Sequence, residues 1–263
     1  MDGHTQQPGD MRGRVALITG GSAGIGLKIA GTLLAAGATV IVNGRDAARG
    51  VKALETLASD HAFFEAGDCS DADGAREVVA NVVGRHGGIS TLVASGGAAH
   101  RTPHLFHDVA DDDFSEIYRT QFLNRVFPIR AALPYMRESG GSIVILSTDA
   151  GRHSTVGESI HGAMGAAKIM LTKTLAREFG RWKIRVNCLA LTITSGTESF
   201  EAVINGDEWA RGIFEKAVRR FPFGRPPDAD EVARVALFLA SDQSAQVTGQ
   251  TISVNGGLSF GGW

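Results

Sequence analysis

The clearest chemical motif in the sequence is the glycine-rich stretch TGGSAGIG, which spans residues 19–26. It directly follows the apolar run VALIT and opens a segment with helical periodicity. In such a strand-turn-helix unit, Gly20, Gly24 and Gly26 let the backbone turn tightly and approach a pyrophosphate, while the helix N-terminus offers free N–H groups. The context favours a dinucleotide-binding loop, with Ser22 and Ile25 in the same turn, over an ordinary strand-to-helix turn.

Two further positions are predicted to contact the same ligand. The second predicted strand ends in NGRD, so Arg45 stands where an acidic residue would bind a ribose diol. A guanidinium there can pair with a 2′-phosphate, which favours NADP(H) over NAD(H), although a solvated arginine at a helix start is the alternative. Asp68 ends the third predicted strand and is placed to meet the adenine; its alternative role is to cap the next helix.

A third feature is the Gly- and Ala-rich stretch GESIHGAMGAAKIMLTK at residues 157–173, which is predicted to be helical. Its one histidine, His161, has an unperturbed pKa near 6.5, which suits proton transfer at neutral pH. The alternative is a histidine that fills space and hydrogen-bonds a carbonyl or water.

The elements that must position these residues follow from hydropathy. Apolar, β-branched runs alternate with helical segments, which is typical of a parallel sheet covered on both faces. Strands are predicted at 15–19, 39–43, 62–66, 91–95, 142–148, 184–191 and within 250–256, and helices at about 24–36, 46–59, 72–86, 111–137, 158–179 and 228–240. We therefore expect a single-domain, doubly wound α/β fold of the Rossmann type.

The domain is predicted to span residues 12–263, after a polar N-terminal tail at 1–11. Residues 193–223 interrupt the alternation and are predicted to be a helical insertion that covers the substrate site.

Composition excludes several classes of protein. The 263 residues carry 26 Lys and Arg against 28 Asp and Glu, and this balance argues against nucleic-acid or polybasic membrane binding. Cys69 and Cys188 form no disulfide framework, no spacing indicates a metal site, and no run reaches the about 18 apolar residues of a spanning helix. We expect a cytoplasmic protein.

The glycine loop, Asp68–Cys69, RAALPYM (130–136), GGSIVILST (140–148), LTKTLAREF (171–179), IRVNCLA (184–190) and the run from Phe223 to Gly257 together resemble the short-chain dehydrogenase/reductase (SDR) family. The resemblance covers essentially residues 12–257. It implies a seven-stranded parallel sheet, a dimer or tetramer, and hydride transfer between a nicotinamide and a hydroxyl or carbonyl carbon. It also implies that Asp68 and Cys69 contact adenine.

The family's usual catalytic set is Asn-Ser-Tyr-Lys. Alignment on LTK (171–173) places Gln121 at the asparagine, Thr148 at the serine, His161 at the tyrosine and Gly165 at the lysine. The chain's two tyrosines are followed four residues later by Phe122 and Ser139, so no register supplies Tyr-x-x-x-Lys. Lys168 lies two turns after His161, roughly 10 Å along the helix axis, and we do not expect it to replace the missing lysine.

Two other landmarks depart from the family pattern. Asn-Asn-Ala-Gly after the fourth strand is Ala94-Ser95-Gly96-Gly97, which leaves Ser95 and Gly96 as cofactor contacts, and Pro-Gly after the sixth strand is Leu191-Thr192. The departures thus cluster at the nicotinamide and substrate end, whereas the phosphate and adenine end keeps its pattern.

Three functional hypotheses follow. The leading one is a catalytically impaired SDR homologue that acts as a subunit of a homo-oligomer, or of a hetero-oligomer with an active relative, with NAD(P) bound weakly or absent. The first alternative is an active NAD(P)H-dependent reductase or dehydrogenase of a small keto or hydroxy substrate that uses His161 and Thr148. The second is a lyase or isomerase that uses the same pocket without redox chemistry.

Overall fold

A computed structural model describes residues 9–97, 104–206 and 208–260. Its centre is one parallel seven-stranded sheet with the strand order β3-β2-β1-β4-β5-β6-β7. The strands are β1 (Val15–Thr19), β2 (Thr39–Gly44), β3 (Ala62–Ala66), β4 (Thr91–Ala94), β5 (Gly141–Thr148), β6 (Ile184–Leu191) and β7 (Thr251–Val254). The predicted doubly wound fold is confirmed.

The α-helices of the described chain lie on both faces of this sheet. They are α1 (Gly24–Ala35), α2 (Ala47–Leu57), α3 (Ala72–His86), α4 (Asp111–Tyr118), α5 (Asn124–Ser139), α6 (Ser159–Phe179), α7 (Glu198–Ile204), α8 (Glu208–Val218) and α9 (Ala229–Ala240). Helices α1 and α9 pack together, as do α3 and α5. Because the central strands are buried on both faces, their apolar residues divide into two cores.

The strand order places the switch point between β1 and β4. Strands β2 and β3 extend the sheet to one side of β1, and β5, β6 and β7 extend it to the other side of β4. In open parallel sheets, ligands bind beyond the carboxyl ends of the strands at such a point. Residues 19–26, 95–97 and 148 all lie at the carboxyl ends of strands or directly after them, so the topology brings these predicted site residues to the same edge of the sheet.

The predicted helix over 111–137 is not continuous. A π-helical turn at Arg119–Leu123 separates α4 from α5. Pro128 follows in the second turn of α5, where it lacks the N–H that would bond the carbonyl of Asn124. A π-helical turn adds a residue to the helical repeat and changes the direction of the side chains that follow.

Two segments refine the predicted domain boundaries. Met11, assigned from sequence to the polar tail, is 1% exposed and its N–H bonds the carbonyl of Ala36, so the packed domain begins before residue 12. The predicted insertion at 193–223 is helical, comprising α7 and α8. Within the described ranges, the structure has no helix that is both long and apolar enough to cross a membrane.

Candidate functional site

The glycine loop is held by a direct backbone contact between the ends of β1 and β4. Gly20 has a φ of +62°, and a Cβ atom there would lie 2.2 Å from the Cα of Gly96. No side chain fits at either position without moving one strand end. Ser95 reinforces the contact, because its N–H bonds Thr19 Oγ1 at 3.1 Å and its hydroxyl donates to the Thr19 carbonyl.

The N-terminus of α1 offers unpaired donors at the same place. Its N-cap, Ala23, supplies no side-chain hydrogen bond, and the first turn contains no acidic residue. The first intrahelical bond runs from Leu27 N–H to the Ala23 carbonyl, so the N–H groups of the preceding residues, including Ile25 and Gly26, point out of the helix end. A cradle without side chains beside a helix N-terminus fits a pyrophosphate.

The end of β2 lies against this loop. A Cβ on Gly44 would stand 2.8 Å from Ser22 Oγ, which places the serine hydroxyl between the glycine loop and Arg45. The Arg45 side chain is 58% exposed, and its Nη1 lies 3.8 Å from Asp68 Oδ2. Arg45 is therefore free to turn toward a ligand, and its contact with a 2′-phosphate stays a prediction.

Asp68 has partners that the sequence did not reveal. It accepts hydrogen bonds from Ser70 N (2.8 Å) and Ser70 Oγ (2.6 Å), and from Arg119 Nη1 at 3.2 Å. Burial raises the pKa of Asp68, but these bonds and the charge of Arg45 outweigh it and lower the pKa below the usual value. The N-cap of α3 is Asp71 instead, so the alternative capping role for Asp68 is wrong.

Cys69 faces inward. Its thiol donates to Asn43 Oδ1 at 3.2 Å, and Asn43 Nδ2 in turn donates to the carbonyls of Glu65 and Gly67. Burial raises the pKa of the Cys69 thiol to about 12. The side chain thus holds β2 to β3, and only its backbone is left to meet a cofactor.

The candidate site extends along the carboxyl ends of the strands as a cleft. At the end of this cleft away from the glycine loop, Thr148 is the last residue of β5. Its Oγ1 accepts the N–H of Ala150 at 3.2 Å and so caps the 3₁₀ turn at Asp149–Gly151. Its methyl group, Cγ2, would lie 2.6 Å from a Cβ placed on Gly165. The residue aligned with the family serine therefore packs directly on the backbone of the residue aligned with the lysine.

This close approach continues along the helix. A Cβ on Gly151 would lie 2.5 Å from the backbone of Gly165 and Ala166, and one on Gly162 would lie 2.8 Å from the Ala150 carbonyl. Ser147 Oγ also donates to the Gly165 carbonyl at 3.0 Å. Helix α6 thus lies on the 3₁₀ turn backbone against backbone, and no space for a side chain exists at residue 165.

His161 lies next to this contact and is partly exposed to solvent. Its side chain is 25% exposed, and Nε2 is 3.8 Å from Oε2 of Glu158, which is 20% exposed. Burial lowers the pKa of His161 to about 3, with added repulsion from Lys168 and Arg125, and burial raises the pKa of Glu158 to about 7. At neutral pH the imidazole is uncharged and the carboxyl lies near its titration midpoint. Sequence reasoning did not identify Glu158.

Lys168 acts electrostatically on His161, although it lies two turns later on the same helix. Long helical side chains lean toward the helix N-terminus, which is the direction of His161. The charge of Lys168 lowers the pKa of His161, whereas the sequence argument had set this lysine aside. Lys168 is 1% exposed, and burial and the charge of Arg125 lower its own pKa well below the usual value.

The π-helical turn supplies the remaining members of the site. Gln121, aligned with the family asparagine, lies within it and is buried. Asn124 follows and accepts Arg125 Nη1 at 2.6 Å through its side-chain oxygen. Arg125 is 5% exposed, and sequence reasoning did not identify it as a site residue.

A buried carboxylate joins the end of β5 to the segment after β7. Asp149 accepts hydrogen bonds from Ser253 Oγ at 3.0 Å and Asn255 Nδ2 at 2.9 Å, and also from the hydroxyl of Ser259. These partners hold the residue next to Thr148 in place.

The insertion lies over the cofactor end of the cleft. A Cβ on Gly24 would be 3.9 Å from Cβ of Thr197, which caps α7. Arg49 Nη2 on α2 also contacts Glu198 Oε2 at 2.8 Å. The start of the segment therefore lies beside the glycine loop and α2, and its role as a cover of the substrate site stays a prediction.

Comparison with known proteins places this geometry in a family. The model of the family described as "Enoyl-(Acyl carrier protein) reductase" matches residues 20–259. The chain belongs to this short-chain dehydrogenase/reductase family. The similar proteins described next are named as reductases or dehydrogenases.

Three similar proteins illustrate the relationship. A 3-oxoacyl-[acyl-carrier-protein] reductase of Thermotoga maritima is 37% identical over 257 residues, covering 94% of this chain and 98% of the relative. An acetoacetyl-CoA reductase of Shinella zoogloeoides is 34% identical over 254 residues, covering 94% and 99%. A crystal structure assigned to a short-chain alcohol dehydrogenase of Sinorhizobium meliloti 1021 superimposes with a TM-score of 0.85 at 28% identity, covering 96% and 98%.

Proposed function

We propose that this chain is a catalytically impaired member of the SDR family, which acts as a subunit of a homo-oligomer or of a hetero-oligomer with an active relative. The observation that carries the proposal is the closed contact at Gly165, where a Cβ would lie 2.6 Å from Thr148 Cγ2. The family lysine has no room there, and the tyrosine position holds His161, whose imidazole is neutral at pH 7.

The proposed cofactor is NAD(P), with NADP(H) favoured by Arg45. The glycine loop and the N-terminus of α1 would hold its pyrophosphate, and the exposed Arg45 guanidinium would meet a 2′-phosphate. When bound, the nicotinamide would supply a hydride donor or acceptor. Without a lysine at residue 165 the nicotinamide ribose lacks its anchor, which supports weak binding at that end.

Surfaces around β7 support assembly into an oligomer. Strand β7 is the last of the sheet, and no described strand pairs with its outer edge. A cavity of about 580 Å³ beside it is lined by Phe223, Val235, Phe238 and Val254 among others. Phe223 and Phe260 are 78% and 80% exposed. A related chain packed against this edge would bury these rings.

The test begins with the purified chain alone. We expect fluorescence titration to show NADPH binding in preference to NADH, and we expect no turnover on a panel of hydroxy and keto compounds. Co-expression with a relative that retains Ser-Tyr-Lys should give a complex whose turnover depends on that relative's tyrosine. Turnover by the isolated chain that is lost in His161→Ala would overturn the proposal.

One observation favours an active reductase as the second candidate. Glu158 lies 3.8 Å from His161, and its pKa of about 7 suits an acid or base at neutral pH. A proton would pass from Glu158 through the neutral imidazole to a carbonyl oxygen oriented by Thr148. This candidate requires turnover whose pH profile changes in Glu158→Gln, whereas Glu138→Gln, on the exposed part of α5, should leave that profile unchanged.

A further inference from the structure

Two buried basic side chains, one on α6 and one in the first turn of α5, act electrostatically on His161. Lys168 on α6 is 1% exposed and Arg125 on α5 is 5% exposed. The charge of Arg125 lowers the pKa of Lys168, and both charges lower that of His161, so the three groups lie within electrostatic range of one another. Buried charges in proteins are normally paired, because an isolated ion loses its hydration without compensation.

No carboxylate of the described residues is among the groups that shift the pKa of Arg125 or of Lys168. Glu158 contacts His161 and is half protonated near pH 7, and burial raises the pKa of the Cys188 thiol to about 11, so it is uncharged. The Asp149 carboxylate is occupied by Ser253 and Asn255. The stretch 98–103, AAHRTP, contains no acidic residue.

The Arg125 guanidinium is bonded through Nη1, whereas its Nε is not bonded. Its Nη1 donates to Asn124 Oδ1 at 2.6 Å and to the Thr120 carbonyl at 3.4 Å. Its Nε is buried and has no hydrogen-bond partner. Gly97, with a φ of +103°, passes close by, since a Cβ there would lie 3.1 Å from Nη1. The unbonded Nε marks the side of the guanidinium on which a ligand atom would act as the missing hydrogen-bond acceptor.

We propose that Arg125 and Lys168 form a binding site for a small carboxylate, which enters past His161 and Glu158. A planar carboxylate matches the fork of a guanidinium, whereas a spherical ion meets one donor at a time. Because both basic side chains are almost fully buried, the proposed ligand is a small one. The partly exposed side chains of His161 and Glu158 mark the side of the cluster nearest to solvent.

This site is independent of the proposed loss of catalysis. It uses neither a bound cofactor nor a proton-transfer step, and a carboxylate would bind whether or not the chain turns over a substrate. In an impaired subunit, the cluster of Arg125 and Lys168 would serve as a receptor for a carboxylate-bearing ligand.

Binding should be linked to protonation of Lys168. Without an anion its pKa is well below the usual value, and a carboxylate beside it would raise that pKa, so binding takes up a proton and weakens as pH rises. The groups facing Lys168 are Arg125 from α5, Cys188 from β6, and His161 on its own helix. The first is cationic, the second an un-ionised thiol and the third neutral at pH 7, so uptake is assigned to Lys168.

The test is isothermal titration of the full chain with sodium acetate at constant ionic strength, in two buffers of different ionisation enthalpy, from pH 6 to 9. We expect a dissociation constant of about 1 mM, proton uptake approaching one, and affinity that falls up to tenfold per pH unit above the pKa of free Lys168. Lys168→Met should abolish binding, and Lys173→Met, on the exposed face of the same helix, should not.

Several outcomes would overturn the proposal. Absence of acetate binding, equal binding by Lys168→Met, or binding without proton uptake would each contradict it. Equally strong binding of chloride would contradict the carboxylate assignment. The buffer dependence is measured on the unaltered chain, so it stands even if Lys168→Met does not fold. NADPH binding and turnover are measured separately, and their outcome leaves this test unaffected.

Discussion

Glycine contacts occur at both ends of the cleft, and they have opposite consequences. At the cofactor end, Gly20 and Gly96 bring β1 and β4 together, which leaves the N–H groups at the start of α1 open to a phosphate. At the proton-transfer end, Gly151 and Gly165 bring a turn and a helix together, which removes the room for a lysine. The same device, backbone packed on backbone, forms a binding site in one place and closes one in the other.

The largest expected effect is at the open end. Gly20→Val places methyl groups on a residue with φ of +62° whose Cβ would lie 2.2 Å from Gly96 Cα. We expect the free energy of unfolding to fall by about 3 kcal/mol or more, and NADPH affinity to fall at least about tenfold. Denaturant unfolding and fluorescence titration measure the two effects.

The matched control is Gly84→Ala, since no atom lies within 4 Å of a Cβ at that helical position. It should be neutral or stabilising by up to about 1 kcal/mol. Unchanged cofactor affinity in Gly20→Val would mean that the strand-end contact does not shape the site.

Next in size is an attempt to reopen the closed end. In the double variant His161→Tyr with Gly165→Lys, the lysine must displace Thr148 or Gly151, so unfolding free energy should fall by about 1–3 kcal/mol. We expect no gain in NADPH-dependent ketone reduction, which is measured by absorbance. His161→Tyr alone isolates the effect of the histidine, and restored turnover in the double variant would show that α6 can move away from the turn.

A comparable effect concerns pH. Because burial raises the Glu158 pKa from 4.5 to about 7, its contribution to stability is present below pH 4.5 and is lost as pH rises to 7. Because burial lowers the His161 pKa from 6.5 to about 3, its contribution is present above pH 6.5 and is lost as pH falls to 3. The two pH dependences of the unfolding free energy oppose each other between about pH 4.5 and 6.5, and they cover about 3 kcal/mol for Glu158 and about 5 kcal/mol for His161.

Single variants should separate the two slopes. In Glu158→Gln only the pH dependence that comes from His161 remains, so the free energy of unfolding should decrease steadily as pH falls below 6.5. In His161→Gln only the pH dependence that comes from Glu158 remains, so the free energy of unfolding should decrease as pH rises from 4.5 to 7. Urea unfolding across pH 4–8 measures both, and parallel curves for the two variants would contradict the assignment.

The smallest effect is expected where the insertion meets α2. The Arg49–Glu198 pair is exposed at 53% and 68%, and such pairs contribute about 0.2–1 kcal/mol. A double-mutant cycle with Arg49→Ala and Glu198→Ala should give a coupling energy in that range. A coupling energy above that range would mean that this ion pair is one of the main contacts that hold the insertion against α2.

The comparison also shows which features were readable from sequence. The strands and the glycine loop were predicted because burial on both faces leaves continuous apolar runs and because the motif is local. The π-helical turn at Arg119–Leu123 was not predicted, because no residue in the predicted helix over 111–137 indicates that one turn contains an extra residue. Pro128 gives an indication only in hindsight.

Contacts between segments that are distant in the sequence were also not predicted. The contact of Arg119 with Asp68 joins residues 51 apart in sequence, and no pattern in either segment indicates it. Lys168 was judged by the rise of its helix alone, whereas its charge also lowers the pKa of His161. The inward turn of Cys69 likewise depends on Asn43, which belongs to another strand.

The Asp149 carboxylate has a consequence for the order in which the chain folds. Its partners Ser253 and Asn255 lie 104 and 106 residues later in the sequence, so the end of β5 gains them through long-range contacts with the last strand and the segment after it. During synthesis, the strand that carries Thr148 must wait for that later segment to leave the ribosome. Because closing long loops is slow, we expect this corner of the cleft to gain its native structure last.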